Sequence, residues 1–114
     1  MIECVPYGRF SQDVLFKRNP DEGVVVGKFL LRTLNDRYEI WSLGIMGKHR
    51  RKGYATQMLM EFIQQFKHDK PLVLYVYKTN KIAIHLYEKV GFAIVGECNF
   101  EPDAYKMQYV QSVH

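Results

Sequence analysis

Apolar and polar positions along this chain alternate with a period of two in some stretches and follow a helical period in others, and the switch points divide it into elements. Ile2 to Val5 reads as a short opening strand, ended by Pro6 or placed by it at an edge. Val14-Leu15-Phe16-Lys17 reads as a second strand, and Asn19-Pro20-Asp21-Glu22-Gly23 is a dense turn signal. Val24 to Leu34 is rich in β-branched and apolar residues and predicts a long third strand, with Gly27 a bulge or a point of close approach. After a turn at Asn35-Asp36, Tyr38 to Met46 predicts a fourth strand. Strict alternation puts Glu39, Trp41, Leu43 and Ile45 on one side of it and Tyr38, Ile40 and Ser42 on the other, so a carboxylate stands in line with three apolar residues.

At Thr56 the period changes. Leu59, Phe62, Ile63 and Phe66 recur at helical spacing with Glu61, Gln64 and Gln65 between them, which predicts a helix over 56–68. Lys67, His68 and Lys70 suit its negative end, and Pro71 prevents continuation. Leu72 to Tyr77 is almost wholly apolar and fits a buried strand reached by a helical crossover. A second helix over 80–90 opens at Asn80, turns Ala83, Leu86, Tyr87 and Val90 inward, and ends at Gly91. Phe92 to Val95 and Ala104 to Val110 close the chain as two strands around a loop containing Pro102 and Asp103, and Gln111 to His114 reads as a tail. The order β-β-β-β-α-β-α-β-β, without repeat or linker, gives a single domain over 1–114 of the α/β (α+β) class with a mixed sheet.

The stretch from Leu43 to Thr56 carries the first chemical signal. A strand ends, a basic loop with Gly47, Lys48, His49, Arg50, Arg51, Lys52 and Gly53 follows, and a helix begins. Such a junction aims unpaired backbone N–H groups and the positive end of the helix dipole at one spot, which makes an anion site, above all for phosphate. The formal net charge of +4 suits an anionic ligand, although a mildly basic protein needs none. Cys4 and Cys98 lie far apart with no metal-ligand spacing, so free thiols, no metal site and no disulfide framework are expected. Glu3 stands where a signal peptide would be basic, and no apolar run approaches a membrane span, so the expected location is the cytoplasm and no membrane partner is expected.

Two motifs in order resemble those of the GNAT-superfamily N-acetyltransferases. Arg50-Arg51-Lys52-Gly53-Tyr54-Ala55 matches the family's Q/R-x-x-G-x-G/A signature, preceded by Leu43-x-Ile45 at the end of its fourth strand. Asn80-x-x-Ala83-x-x-x-Tyr87-x-x-x-Gly91-Phe92 matches its second signature, an asparagine opening a helix that closes in Y-x-x-x-G-F. Either motif alone is weak; both in order, each in a strand-loop-helix context, make a strong pair over Val14 to Phe92. The resemblance implies a mostly antiparallel central sheet of about six to seven strands. Two departures stand out. Gly47 replaces the family's usual proline, and only eight residues separate Val5 from Val14, too few for the two helices that family members place there. The acceptor side is therefore expected to be open, or completed by a second subunit in a homodimer.

The same resemblance implies acetyl-CoA as cosubstrate. Its pyrophosphate would be held by backbone N–H groups from Arg51 to Ala55 at the mouth of the Thr56 helix, with Arg50 and its basic neighbours adding positive potential. The pantetheine arm would pair with Leu43, Gly44 and Ile45 where the fourth and fifth strands splay, a backbone N–H near Leu43 or Gly44 polarising the thioester. Asn80 serves equally as a cofactor contact or a plain helix cap. Tyr87 matches the family's general acid toward the departing thiolate, and a core tyrosine is its structural alternative.

The acceptor amine must lose a proton: for a lysine with pKa about 10.4 this costs about 4.6 kcal/mol at pH 7, for an α-amine only about 1 kcal/mol. Glu39, eleven residues before Arg50, has the spacing of the glutamate base in the histone-acetyltransferase branch, and its apolar neighbours are expected to raise its pKa. A surface or ion-paired glutamate is the alternative. His85 is expected to be exposed, His49 to belong to the phosphate loop, and Trp41 to be a core or interface residue rather than to line an acceptor channel. The expected function is acetyl transfer from acetyl-CoA to a primary amine by direct attack, the acceptor being a protein lysine or N-terminus. Two other readings are a catalytically idle acyl-CoA sensor and a nucleic-acid module using Lys48 to Lys52; the motif pair disfavours nucleic acid.

Overall fold

The computed structural model describes residues 1–17, 23–47 and 53–110. Its elements are β1 (Ile2–Pro6), β2 (Ser11–Lys17), β3 (Val25–Thr33), β4 (Tyr38–Ile45), α1 (Tyr54–Gln65), β5 (Leu72–Tyr77), α2 (Lys81–Val90), β6 (Phe92–Glu97) and β7 (Ala104–Tyr109). One seven-stranded sheet takes all the strands in the order β1-β2-β3-β4-β5-β7-β6. The first four form an antiparallel meander. β5 is parallel to β4, as a helical crossover through α1 demands, and β7 inserts antiparallel between β5 and β6. β1 turns into β2 through residues 7–10, closed by the Tyr7 N–H donating to the Ser11 carbonyl at 2.8 Å, and no helix intervenes.

Both helices lie on one face of this sheet, and the core lies between. Phe16 and Phe29 meet Met58, Leu59 and Phe62 of α1, with the Phe29 and Phe62 rings edge to face at 5.0 Å. The layer continues through Leu74, Val76 and Met107 to Ile84 of α2. The opposite face carries Glu39, Trp41 and Tyr75, and the described residues place no helix over it.

Three local features differ from strict periodicity. First, α1 runs 54–65 rather than 56–68, because Phe66 adopts an extended backbone (φ −77°, ψ 140°) that lets its ring pack on Tyr38 at 4.7 Å. The expected basic end is therefore loop, although the His68 imidazole still hydrogen-bonds the Ile63 carbonyl of the last turn at 3.0 Å.

Second, β4 holds one residue too many opposite β3 between Lys28 and Leu30. Ser42 absorbs it at φ 55°, the one positive φ at a non-glycine residue among those described. The bulge reverses the phase of the strand. Leu43 and Ile45 consequently pack against the helix-side core, not beside Glu39 and Trp41 as alternation predicts. Third, β3 bulges at Val26 where it leaves register with β2. A Cβ on the adjacent Gly27 would stand 2.6 Å from Ile45 Cδ1 and 3.2 Å from the Gly44 carbonyl oxygen, so glycine there is what lets β3 and β4 close on α1.

Candidate active site

β4 and β5 pair from Tyr38–Leu72 to Ile40–Leu74, and among the described residues the two strands do not pair with each other beyond Ile40. The Ser42 bulge turns β4 away at this point, and α2 starts beyond the end of β5. Between them opens a groove of about 570 Å³, lined by Leu43, Gly44 and Ile45 on one side and by Asn80, Ala83 and Tyr87 on the other. The strand end that precedes the first motif and residues of the second motif thus line one space.

At the N-terminus of α1, Gly53 adopts the left-handed conformation (φ 75°, ψ 10°), and among the described residues no side chain caps the helix. A Cβ there would meet nothing within 4 Å, so backbone conformation, not crowding by the protein, favours glycine. Among the described residues no protein acceptor meets the N–H of Ala55 or Thr56, which leaves donors at the positive end of the helix dipole. The Tyr54 ring lies 6.2 Å from that of Phe16, tilted against it. Lys48, His49, Arg50, Arg51 and Lys52 lie outside the described residues.

Tyr87 projects from α2 into the groove and packs its ring on Phe92 at 6.1 Å. Burial pushes its phenol pKa up, since an ionised oxygen would lose hydration there. It is therefore protonated at neutral pH, and among the described residues its hydroxyl has no protein hydrogen-bond partner. Asn80 caps α2, its side-chain oxygen accepting from the Ala83 N–H at 3.2 Å, while its amide also lines the groove. Gly91 ends α2 at φ 123°, donating its N–H to the carbonyls of Tyr87 and Glu88.

Glu39 is buried, but the expected direction of its pKa is reversed. Burial alone would raise it; hydrogen bonds from Trp41, Arg37 and Tyr75 more than offset that and hold the carboxylate below its ordinary range. Trp41 Nε1 donates to Oε1 at 2.9 Å, and Arg37 Nε and the Tyr75 hydroxyl donate to Oε2 at 3.0 and 2.9 Å. Arg32 adds a longer ion pair at 3.7 Å. A carboxylate so saturated holds its neighbours in place.

His85 is exposed, and Cys4 and Cys98 are free. Trp41 is half-buried on the open face, stacked with Phe100 at 5.9 Å and tilted against Tyr75 at 5.3 Å. Sequence reasoning missed Arg37, Tyr75 and Phe100. The i, i+2 spacing of Arg37, Glu39 and Trp41 on one strand face is a readable signal, whereas Tyr75 and Phe100 arrive through strand register and loop conformation.

The family model described as acetyltransferase (GNAT) family matches residues 8–92. Among solved structures, the dodecameric spermidine N-acetyltransferase of Vibrio cholerae aligns at 20% identity and TM-score 0.73, covering 91% of this chain and 67% of that one. The ribosomal-protein-S18-alanine N-acetyltransferase of Escherichia coli aligns at 20% identity and TM-score 0.71, covering 90% and 70% respectively. An acetyltransferase of Bacillus subtilis in complex with CoA aligns at 16% identity and TM-score 0.70, covering 90% and 78%. At these identities the likeness is one of fold. No curated protein matches the sequence.

Proposed function

From the acetyltransferase (GNAT) family, to which this chain belongs, we infer an acetyl-CoA-dependent enzyme that transfers the acetyl group to a primary amine by direct attack. The observation that carries this reading is the groove at the β4–β5 divergence, where Leu43–Ile45, Asn80 and Tyr87 meet. The donors at the start of α1, with the basic run 48–52 before them in sequence, suit the pyrophosphate, and the stretch of β4 that diverges from β5 suits the amide-bearing pantetheine arm. Coenzyme A bound by the Bacillus subtilis neighbour supports the same cosubstrate here.

In the proposed reaction the amine nitrogen forms a bond to the acyl carbon while a β4 backbone N–H near Gly44 stabilises charge on the oxygen. The carbon–sulfur bond then breaks, and the protonated, partly buried Tyr87 donates its proton to the departing sulfur. The amine gives its proton to solvent water at the open face of the sheet, and the Tyr87 phenolate regains a proton from solvent. Glu39 is assigned the task of fixing Trp41 and Tyr75 there, because its pKa is lowered and its oxygens already accept three hydrogen bonds. A face without covering helices favours an acceptor amine carried by a protein, and the expected cellular setting is the cytoplasm.

A thiol-release assay with acetyl-CoA against a panel of amines, lysine peptides and peptide N-termini tests this. Release that depends on the amine supports the reading. Absence of release with every amine tested, from a protein that binds acetyl-CoA, would refute it.

A further inference from the structure

Tyr87 lies in the last turn of α2, and two contacts fix it, one through its backbone and one through its ring. Its carbonyl accepts the Gly91 N–H at 3.1 Å, and its ring packs on buried Phe92 at 6.1 Å. Both partners belong to the step from α2 into β6, so the phenol is placed only as well as that step is.

The step is in turn held by the end of β7. Phe92 and Tyr109 stand opposite each other in the β6–β7 register, both against the helix-side core, and their rings meet edge to face at 5.7 Å. Val110 donates its N–H to the Gly91 carbonyl at 2.9 Å. A Cβ on Gly91 would stand 2.9 Å from Tyr109 Cε2, so glycine at this position both ends α2 and lets the Tyr109 ring close on the turn. The same ring stacks on His68 at 5.5 Å, and the His68 imidazole is tied to the Ile63 carbonyl at 3.0 Å. Tyr109 is thereby braced against the segment between α1 and β5. Among the described residues its hydroxyl has no protein hydrogen-bond partner, so the ring carries these contacts.

Tyr109 is not part of the groove lining and lies outside both sequence motifs. We propose that it is a positioning residue: its ring, seated on Gly91 and Phe92, holds the Tyr87 phenol where it meets the departing sulfur. The proposal rests on the reading of Tyr87 as general acid and adds a residue that acts through it. An acid must come within hydrogen-bond reach of the group it protonates, and a misplacement of about 1 Å can cost about 100-fold. Removing the Tyr109 ring loosens Phe92 and the turn but leaves every residue of the groove lining in the sequence, so the loss falls on kcat rather than on CoA affinity.

The test compares Tyr109→Leu and Tyr109→Phe, each alone and combined with Tyr87→Phe, with acetyl-CoA and an amine that the wild type acetylates, below the measured melting range of every variant. Tyr109→Leu is expected to lower kcat about 5- to 100-fold with the Kd for CoA within about twofold, and Tyr109→Phe, which keeps the ring, to stay within about twofold of wild type. In the Tyr87→Phe background Tyr109→Leu is expected to remove less than about twofold more, because nothing is left to position. Nuclear Overhauser contacts between the Tyr87 and Phe92 rings in the CoA complex read the placement without turnover, and are expected to persist in Tyr109→Phe and weaken in Tyr109→Leu. His68→Ala removes the outer brace at an exposed side chain and carries the same test where Tyr109→Leu does not fold, with kcat lowered about 2- to 5-fold and no further loss beside Tyr87→Phe.

An equal loss of kcat in the Tyr87→Phe background, a loss confined to CoA affinity, a Tyr109→Phe protein as slow as Tyr109→Leu, or unchanged ring contacts and kcat in every folded variant overturns the proposal. Tyr87→Phe with wild-type turnover overturns the acid reading and the proposal together, and that single variant shows which of the two has failed.

Discussion

Replacing Glu39 separates its assigned role from that of a catalytic base. In Glu39→Ala the half-buried Trp41 Nε1 and Tyr75 hydroxyl lose an ionised acceptor at 2.9 Å each. Each such loss costs about 1–2 kcal/mol, so the pair costs about 2–4 kcal/mol. The Arg37 side chain is 31% exposed, and water takes over much of its partnership, so it adds nothing to that sum. At about 2.1 cal/mol/K per residue, unfolding a chain of 114 residues has an entropy of about 0.24 kcal/mol/K, which turns the loss into a Tm lower by about 8–17 °C.

The pH dependence follows in sign. Because the folded pKa of Glu39 is depressed, its contribution is complete above the ordinary glutamate value of about 4.3 and disappears as pH falls through the folded value. Calorimetric melts of wild type, Glu39→Ala and Glu39→Gln between pH 3 and 8 read both effects. The acid-side loss of Tm is expected to be shallower in both variants. A Glu39→Gln protein with wild-type Tm at pH 7 and a rate lowered by more than about 100-fold would refute the reasoning and restore Glu39 as the base.

Tyr87→Phe is expected to lower kcat by about 100-fold or more while the Kd for CoA stays within about twofold, and equal turnover would remove the tyrosine from the proton-transfer step. Gly53→Glu puts a carboxylate on the start of α1 and is expected to weaken CoA binding by more than about 100-fold. Gly53→Ala shares its left-handed backbone strain of about 1–2 kcal/mol without the charge, and so lowers Tm with a much smaller loss of affinity. Gly27→Ala brings a methyl group against Ile45 Cδ1, which can move, and the Gly44 carbonyl, which cannot do so cheaply; a cost of about 1–3 kcal/mol and a weaker CoA complex are expected from melting and titration.

Much of the fold is legible because its signals are local. The apolar run at Leu72–Tyr77, the cap at Asn80 and the glycine stop at Gly91 each announce themselves within a few residues, and β5 and α2 sit close to their expected bounds, whereas β2 begins at Ser11, three residues before the apolar run that predicts it. The phase of β4 beyond Ser42 is not legible, because a bulge at a serine leaves no mark in hydrophobic alternation and is set by how β4 meets β3 and α1. Glu39 shows the same limit. Of the apolar residues expected beside it only Trp41 stays on its face, and the direction of its pKa depends on Tyr75, which arrives from another strand, and on the local geometry of Arg37 and Trp41. The cluster of Trp41, Tyr75 and Phe100 is likewise assembled by the β6–β7 loop folding Phe100 over β4 and β5.

The account depends most on the groove between β4 and α2 being where acetyl-CoA binds. Calorimetric titration of the purified protein and of Gly53→Glu with acetyl-CoA and CoA tests that claim most directly. One-to-one binding of both ligands to the wild type, lost in the variant, is the predicted result. A wild-type protein that binds neither, or a Gly53→Glu variant that binds both unchanged, would contradict it.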